Sequence, residues 1–512
     1  MNKFDYLIIG AGMGGLSTGN FLAKYNKKVL ILEKNHIPGG LVISFKRKGV
    51  QFDLGIEGLN ELKEGETIPQ FLKFWGASVK AEKNIGDICC FIDGKKFTFR
   101  NERLREDFID AFPDNKDDVN RIFDINEKIF SEMYSGTEAP KPPYEMNLLD
   151  FIKFIVNNFR KKPTFMKYGL KNADVVLEKL TQNPMLRSAV FSKGITPMVY
   201  MAYAYRWSVI GKDYFPTDGM QAIPNASVQS FVHNGGVIKL NKEVTEILIE
   251  NAQAIGVKTE DGSCFYANNI ISNASPHFTY DLLPDSLPQK SKMKQKIEEK
   301  EIFPSICALF LSVKNTYDFG NTSCFSFLSS TNYKDDYHTY TPENCPIEMI
   351  VYPQKTNDKN RAVVALLPIP YQYHNNWETG PQRERSEAYY KLKSQVTDTI
   401  VTRIDSMMGN GFIDSLALAD LSTPITFERY TYSKNGSFMG WSIDAKNYGK
   451  FMKQKTAIPN LHLVGQWVFP GFGVAGVMAS GYYLAKDLLK QDGIDLEKDF
   501  KNFALGKEQL FQ

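Results

Sequence analysis

A glycine-rich turn near the amino terminus constrains the fold of this chain more than any other feature. Residues 4–9 read FDYLII, a short apolar run typical of a buried parallel strand, and residues 14–25 predict a helix. Residues 28–33, KVLILE, predict a second strand, so the chain opens with a βαβ unit. The turn between the first strand and the helix contains Gly10, Gly12, Met13, Gly14 and Gly15.

The spacing of these glycines is that of a dinucleotide-binding loop. Gly10 permits the tight turn, Gly12 lets the backbone approach a pyrophosphate, and Gly15 lets the helix pack closely on the strand. The helix N-terminus then offers free N–H groups and a positive dipole end to the phosphates. Glu33, followed by Lys34, ends the second strand, where a carboxylate accepts hydrogen bonds from an adenosine ribose. We therefore predict a bound dinucleotide.

A second glycine doublet, Gly39 and Gly40, follows six residues after Glu33 and leads into SFKRKGVQFDLG. The doublet predicts a second close approach of backbone to the cofactor. Asp53 lies in the same stretch, where it either contacts a flavin or caps a turn. The whole pattern resembles the glutathione-reductase-type FAD proteins and, within them, the flavin desaturase and amine-oxidase superfamily. The resemblance implies FAD as the cofactor.

The C-terminal stretch 461–481 reads LHLVGQWVFPGFGVAGVMASG: a strand, Gly465, a loop rich in Pro and Gly, and a helix. Together with RYTYSKNGSFMGW at 429–441 it resembles the phytoene desaturase, carotenoid isomerase and retinol saturase family. In related flavoproteins the start of this helix faces the flavin pyrimidine edge, where a helix N-terminus stabilises negative charge. The resemblance implies flavin-side contacts at Gly465 and Gln466 and at the backbone N–H groups of Val474, Ala475 and Met478, and an adenine contact at Val244.

The chain departs from the family pattern near the expected meeting point of flavin and substrate. Phe472 interrupts the usual PGGG, Leu41 stands where many relatives have Arg, and the stretch 55–59 is atypical. Within that stretch, Glu57 lies either near the site or in a solvated loop. These departures bear on the reaction and not on the fold.

Aromatic residues form the candidate substrate channel. Trp467, Phe469 and Phe472 either wall that channel or belong to an aromatic core, and the same alternatives hold for Tyr430, Tyr432 and Trp441. The high aromatic content, with 36 Phe and 25 Tyr, leaves the same two readings open for the whole chain: a Phe-rich core or an apolar cavity.

Catalytic and metal-ligating groups are not evident. No Ser/His/Asp or Cys/His arrangement appears in a recognisable setting, so the catalytic residues are not identified. The six His show no metal-ligand spacing and the six Cys fit no CxxC pattern, so we expect no metal site. Hydride transfer from an allylic C–H to a flavin needs positioning more than a strong base.

Composition and charge exclude several classes of protein. With 43% hydrophobic and 23% charged residues, the chain of 512 residues is globular and not disordered. A net charge of +3 argues against nucleic-acid binding by bulk charge. We expect no spanning helix and no signal peptide, and thiols that stay reduced, which together favour a cytoplasmic protein.

The stretch 147–162 predicts an amphipathic helix that ends Arg160-Lys161-Lys162. Leu148, Phe151, Ile152, Ile155 and Phe159 share one face. An apolar face with a basic end suits a helix lying in a membrane interface, and it also suits an ordinary packed helix. The family resemblance favours peripheral contact with the inner face of a membrane, because such substrates are insoluble in water.

The remaining elements follow from periodicity and turn signals. Residues 244–272 predict a β-meander with a turn at Asp261-Gly262, and Asp93-Gly94 predicts a second hairpin. Further strands are expected at 305–313, 347–352 and 362–367, helices at 386–407 and 476–490, and surface loops at 136–145 and 354–361.

The predicted elements and the family resemblance together imply an α/β fold. It has a glutathione-reductase-type Rossmann FAD-binding domain, a substrate domain on an antiparallel sheet and a helical cap. The expected boundaries are 1–75, 215–290 and 455–512 for the FAD-binding domain, 76–135 and 291–454 for the substrate domain, and 136–214 for the cap, which could face a membrane.

The resemblance implies an FAD-dependent oxidoreductase acting on carbon–carbon bonds of a long polyene or isoprenoid lipid, first of all a carotenoid desaturase. Saturation or cis–trans isomerisation by reduced flavin stays open. An amine oxidase, which typically has Glu where Gln466 stands, and a non-catalytic prenyl-binding protein of the same fold are further alternatives.

Overall fold

A computed structural model describes residues 3–54, 58–134, 146–191, 198–209, 213–331, 336–354 and 358–506. Glu57 and the predicted loop 136–145 lie outside these ranges, and the side chain of Phe151 is not described. No helix within the ranges is both long and apolar enough to cross a membrane.

The strands are β1 (Phe4–Ile9), β2 (Val29–Leu32), β3 (Ser44–Arg47), β4 (Val50–Asp53), β5 (Ala81–Lys83), β6 (Asp87–Ile92), β7 (Lys95–Phe99), β8 (Tyr214–Pro216), β9 (Val237–Lys239), β10 (Val244–Glu250), β11 (Gln253–Thr259), β12 (Cys264–Ser272), β13 (Cys307–Lys314), β14 (Thr322–Leu328), β15 (Ile347–Val351), β16 (Asn360–Leu367), β17 (Leu416–Ser422) and β18 (Leu461–Leu463).

The helices are α1 (Met13–Lys24), α2 (Thr67–Trp75), α3 (Leu104–Ala111), α4 (Lys116–Tyr134), α5 (Leu148–Lys161), α6 (Ala173–Leu180), α7 (Pro184–Phe191), α8 (Tyr200–Val209), α9 (Ala222–His233), α10 (Pro276–Asp281), α11 (Pro288–Glu298), α12 (Tyr373–Glu378, with left-handed dihedrals), α13 (Glu387–Met408), α14 (Pro424–Thr431), α15 (Val474–Gln491) and α16 (Leu496–Ala504).

The first sheet has the order β10-β11-β12-β1-β2-β9, with β18 pairing to β12. β1 lies between β2 and β12 and is parallel to both, and β18 is parallel to β12. The last residues of β1 and all of β2 are buried, as expected for strands covered on both faces. The meander is confirmed, because β10, β11 and β12 pair antiparallel in sequence.

The two ends of the chain meet where α1 packs against α15. The hydroxyl of Ser17 in α1 donates a 2.7 Å hydrogen bond to the carbonyl of Met478 in α15. The helices approach so closely because α15 carries Gly481, whose hypothetical Cβ would lie 2.8 Å from the Gly14 carbonyl oxygen. The N-terminal and C-terminal motifs are therefore built into one layer.

The second sheet has the order β17-β13-β16-β15-β14-β6-β7. The predicted antiparallel sheet is confirmed, with one exception: β14 runs parallel to β6. The exception arises because β6 comes from an earlier part of the chain and joins the edge strand of a later meander. The hairpin between β6 and β7 is confirmed, with Asp93 and Gly94 at φ 48° and 74°, as a two-residue primed turn requires.

The helices predicted from apolar spacing are confirmed with shifts of one or two residues, as α1, α5, α13 and α15 show. The strands predicted near 305, 347 and 362 are β13, β15 and β16. The expected loop at 354–361 is too long, because β16 already begins at Asn360 and pairs with β13 there. All six cysteines are free, and Cys264 alone among them is exposed.

Most of the aromatic side chains pack in cores. One cluster joins Phe21 to Phe71 at 5.1 Å and to Tyr482 at 5.4 Å between ring centroids, under the first sheet. Another joins Phe108 to Trp207 at 5.5 Å and ties α3 to α8. These two helices belong to the helical layer, which consists of α3, α4, α6, α7 and α8. The Phe-rich core therefore accounts for much of the unusual composition.

Candidate active site

One cavity of about 700 Å³ connects the glycine loop of the first sheet with the helical layer. Most of the residues predicted from sequence line this cavity: Gly10, Gly12, Met13, Glu33, Lys34, Gly39, Gly40, Val244, Gln466, Trp467, Phe472, Val474 and Ala475. Gly14, Gly15, Gly465 and Phe469 are not in the lining. Contact of each residue with a cofactor stays a prediction.

The Gly39-Gly40 doublet touches the glycine loop at the carboxyl edge of the first sheet. The Gly39 N–H donates a 2.8 Å hydrogen bond to the Ala11 carbonyl, and a Cβ on Gly40 would lie 3.2 Å from the Gly12 Cα. Gly10 has a φ of +94°, and a Cβ on Gly15 would lie 2.3 Å from the Gly10 carbonyl oxygen. The glycines thus provide close backbone packing and an unobstructed surface for a pyrophosphate.

Glu33 is buried at the end of β2 and holds the loop in place. One carboxylate oxygen accepts a 2.7 Å hydrogen bond from the Ala11 N–H, and the other accepts from the backbone and side chain of Asn35 at 2.9 Å. The carboxylate lines the cavity, so it can also accept hydrogen bonds from ribose hydroxyls.

An aromatic slot lies beside Glu33. The ring of Tyr432 stacks on that of Phe278 at 4.3 Å, and the ammonium group of Lys34 lies 3.2 Å from the Tyr432 centroid. Lys34 also donates to the Arg429 carbonyl at 2.6 Å, and its burial lowers the pKa to about 8. Val244, at the start of β10, also lines the cavity here, so an adenine ring held through Glu33 would lie beside this aromatic slot and not between its rings. Sequence reasoning missed Phe278.

The first turn of α15 lies at the opposite end of the cofactor site. We call this helix start, the glycine loop and Glu33 together the cradle. Val474 and Ala475 line the cavity, and their N–H groups belong to the helix positions that have no partner within the helix. Gly473, with φ +81°, has open space where a Cβ would stand. A positive helix end facing open space fits the electron-rich edge of a flavin ring.

Asn273 is a site residue that sequence reasoning missed. It directly follows β12, and its side chain lies among three glycines: hypothetical Cβ atoms on Gly12, Gly14 and Gly465 would come within 2.5, 2.6 and 2.7 Å of its amide. The three glycines therefore make room for this one side chain, which joins the N-terminal loop to the C-terminal loop. The signal was its position at the carboxyl end of a strand next to β1, where α/β sheets bind ligands.

The Trp and Phe residues of the C-terminal loop take different positions. Trp467 and Phe472 line the cavity, and the Trp467 ring also packs edge-to-face on Trp441 at 4.7 Å. Phe469 does not line the cavity and takes the alternative of an aromatic core, because its ring packs between Phe451 and Tyr483 at 5.7 and 5.3 Å.

Asp53 also serves the framework and is absent from the lining. It accepts hydrogen bonds from the Ser44 hydroxyl and from the Met220 N–H at 3.0 Å, and so ties β4 to β3 and to the start of α9.

Beyond Phe472 the cavity wall is apolar. It is formed by the side chains Met133, Met198, Met201, Phe303, Leu366, Phe438, Met439 and Ile443. Polar side chains also reach the lining, among them Tyr205, which donates to Glu61, and Arg206, whose Nη2 donates to both carboxylate oxygens of Glu348 at 2.8 and 3.1 Å. Tyr448 also lines this part, and burial raises its pKa to about 12, so its hydroxyl is protonated at neutral pH. The wall suits a long apolar ligand.

The fold and this cradle define a dinucleotide-binding protein with a Rossmann domain, and the residues present fit FAD. A family model described as an NAD(P)-binding Rossmann-like domain matches residues 8–75. Among solved structures, wild-type putrescine oxidase bound to putrescine superposes with a TM-score of 0.63, at 12% identity over 96% of this chain and 99% of that one. This similarity extends the same fold over nearly the whole molecule.

Two curated relatives narrow the class. Prolycopene isomerase 1, chloroplastic, of an Oncidium hybrid cultivar is 26% identical over 98% of this chain and 86% of its own length. All-trans-retinol 13,14-reductase of Rattus norvegicus is 23% identical over 96% and 86%. The chain is therefore similar, over nearly its whole length, to proteins named as a carotenoid isomerase and a retinol reductase.

Proposed function

We propose that this chain rearranges carbon–carbon double bonds of a long apolar polyene with the help of bound FAD, and that cis–trans isomerisation is the principal reaction. The observation that carries the proposal is the single cavity in which the glycine cradle opens directly onto a wall of Met, Phe, Leu and Ile side chains. The relatives named prolycopene isomerase, which match nearly the whole chain, support isomerisation over desaturation.

The apolar wall has two tasks in this proposal. Met198, Met201 and Phe303 exclude water from the reacting bond, and the long cavity holds the polyene extended. Phe472 lies between the cradle and this wall, so its ring limits how closely and at which carbon the polyene approaches the cofactor. Rate enhancement then comes mainly from positioning.

Bound FAD supplies the redox chemistry, exchanging electrons or a hydride with the carbon–carbon bond. The N–H groups of Val474 and Ala475 orient the ring and stabilise negative charge on it. The described lining contains no histidine and no cysteine. Isomerisation leaves the number of protons and electrons in the substrate unchanged, so it needs no group that delivers a proton overall.

Saturation of a double bond is the second candidate, supported by the relatives named all-trans-retinol 13,14-reductase. Each double bond that is saturated consumes a hydride from reduced FAD and a proton from elsewhere. The Tyr448 hydroxyl, in the apolar part of the cavity wall, is the donor we assign.

The test is an anaerobic incubation of FAD-loaded protein with a poly-cis polyene in detergent, followed by chromatography, mass spectrometry and the flavin spectrum. Isomerisation predicts a product of unchanged mass, formed only by pre-reduced enzyme, with the flavin still reduced at the end. Saturation predicts a mass gain of two hydrogens and one flavin oxidised per product.

The opposite result would refute the proposal. If oxidised enzyme is bleached by a more saturated substrate and forms a new double bond, the chain is a desaturase. Turnover of simple amines with release of peroxide would make it an amine oxidase, and a purified protein that neither carries nor accepts flavin would make it a non-catalytic binder.

Two matched variants separate the candidates. Tyr448→Phe removes the proposed proton donor. We therefore expect the rate of saturation to fall by about a hundredfold or more while isomerisation persists. Tyr430→Phe is the control, because Tyr430 also lines the cavity but is 55% exposed and lies at the Glu33 end, where its carbonyl accepts a hydrogen bond from the Asn35 side chain. Loss of isomerisation in Tyr448→Phe alone would show that a proton does pass through this hydroxyl.

A further inference from the structure

The helix α5 presents an apolar stripe to the outside of the molecule. At 100° per residue, the five side chains of this stripe fall within a sector of about 100°. On the other side of the helix Asn158 is buried, while Phe154 is 39% exposed. The α5 stripe consists of Leu148, Leu149, Ile152, Val156 and Phe159, which are 74%, 67%, 49%, 59% and 60% exposed.

Cations border the α5 stripe. Lys153 and Arg160 are exposed along its edge, and Lys161 and Lys162 follow at the C-terminal end of the helix. The carboxylate of Asp150 is engaged in the capping box with Asn147. Four cations against one carboxylate give this short segment the same net charge, +3, as the entire chain. The positive charge is thus concentrated around an exposed apolar surface on a nearly neutral protein.

The C-terminal end of α5 is anchored to the cavity wall. The buried carboxylate of Glu132, in the last turn of α4, accepts hydrogen bonds from the N–H groups of Thr164 and Phe165 at 3.2 and 2.7 Å. The next residue, Met133, lines the cavity and is itself partly exposed. The cavity wall at Met133 therefore lies next to the carboxylate that holds the basic end of α5.

We propose that α5 lies in the interface of a bilayer that contains anionic lipid, with the α5 stripe among the acyl chains and its bordering cations at the headgroups. An apolar sector edged by Lys and Arg is complementary to such a surface. This orientation places the Met133 side of the cavity against the membrane, so that an apolar ligand passes from lipid to cavity without crossing water. The docking does not depend on the proposed reaction; only the identity of the entering ligand does.

The experiment measures binding of the full FAD-loaded chain to sedimenting vesicles without any substrate, so a failure of the proposed function does not affect the readout. Vesicles of phosphatidylcholine are compared with vesicles that also contain phosphatidylglycerol. We expect binding to the mixed vesicles and clearly weaker binding to phosphatidylcholine alone. The double variant I152E/V156E should weaken binding by roughly tenfold or more, because it places charge inside the stripe.

Two further variants complete the design. V232E/V237E is the matched control, because both valines are exposed and lie in α9 and β9, away from α5. It should bind as wild type does. K153Q/R160Q keeps the apolar stripe and should lower binding to the mixed vesicles by about fivefold for each cation removed. Retained flavin absorbance and an unchanged melting temperature show that a variant is folded. If I152E/V156E loses its flavin, vesicle binding by K153Q/R160Q tests the proposal instead.

Three outcomes would overturn the proposal. Wild-type protein could stay in solution with the mixed vesicles, or I152E/V156E could bind as V232E/V237E does, or K153Q/R160Q could bind as wild type does. If the chain instead forms a stable dimer that I152E/V156E dissociates, without vesicle binding, the α5 stripe is a contact between two copies of the chain.

Discussion

Gly14 is the position where a single methyl group should separate the two halves of the cofactor cradle. A Cβ there would lie 2.6 Å from Asn273 Oδ1 and 2.9 and 3.0 Å from the Cα and N of Gly465. Gly14 lies inside α1, so alanine is acceptable to its backbone and the effect is purely steric. Because Gly465 contributes backbone atoms, no side-chain rotation relieves the contact, and the two loops must move apart.

The expected magnitude follows from two opposing effects. Overpacking costs about 1–3 kcal/mol, and alanine recovers up to about 1 kcal/mol as a better helix former than glycine. The net loss of about 1–2 kcal/mol falls on the geometry that holds FAD. At 1.4 kcal/mol per decade, Gly14→Ala should raise the Kd for FAD by about 5- to 30-fold.

The assay is titration of the apoprotein with FAD, followed by quenching of flavin fluorescence, with thermal unfolding measured in parallel. Gly19→Ala is the control in the same helix: its Cβ would meet the side chains of Ile31 and Phe231 at 3.0 and 3.1 Å, and these can shift. The control should keep the wild-type Kd. Equal Kd values for the two variants would refute the assignment of Gly14 to the junction of the two loops.

Three further predictions concern the cofactor, pH and the substrate. Glu33→Gln should raise the Kd for FAD by about tenfold in the same titration, because charged acceptors form the stronger hydrogen bonds. Burial lowers the pKa of His277 and of His462 to about 4, so between pH 6.5 and 4 the unfolded chain binds protons that the folded chain does not. The free energy of unfolding should therefore fall as the pH falls through this window, by about 3 kcal/mol for each histidine, in denaturant titrations at pH 7 and 4. Phe472→Gly should shift kcat/KM toward longer or bulkier polyenes by about tenfold, since it widens the cavity beside the cradle.

Each of these predictions has a contrasting control. A Glu33→Gln variant with wild-type affinity would place the adenosine elsewhere. Replacing His277 with Phe should flatten half of the pH dependence, and an unchanged slope would contradict the assignment. Phe469→Leu lies in the core and should lower stability without changing the preference for polyene length.

The parts of the fold that could be predicted are those that the local backbone decides. Gly10 and Gly12 stand at positions where only glycine permits the turn and the close approach, so their spacing predicts the loop without tertiary information. The Asp93-Gly94 turn and the apolar spacing of 386–407 are equally local signals. The structure shifts such elements by a residue or two and keeps their type.

The parts that could not be predicted depend on partners distant in sequence. Asn273 lies between Gly14 and Gly465, a junction of three segments hundreds of residues apart. The Phe278–Tyr432 slot and the parallel pairing of β14 with β6 arise in the same way. Phe469 shows the converse: it shares the aromatic loop with Trp467 and Phe472, yet its ring turns into the core. Composition alone does not distinguish these three neighbours.

The cradle and the wall have separable effects on the reaction. The glycine loops, Glu33 and the start of α15 bind the same cofactor whether electrons enter or leave the substrate, so they do not determine the direction of the reaction. The direction depends on which carbon reaches the ring and on whether a proton is at hand. In the proposed reaction Phe472 would set the first, and the Tyr448 hydroxyl would supply the second. On that proposal, exchange between isomerisation and saturation should require changes at this ring and this hydroxyl and none in the cradle.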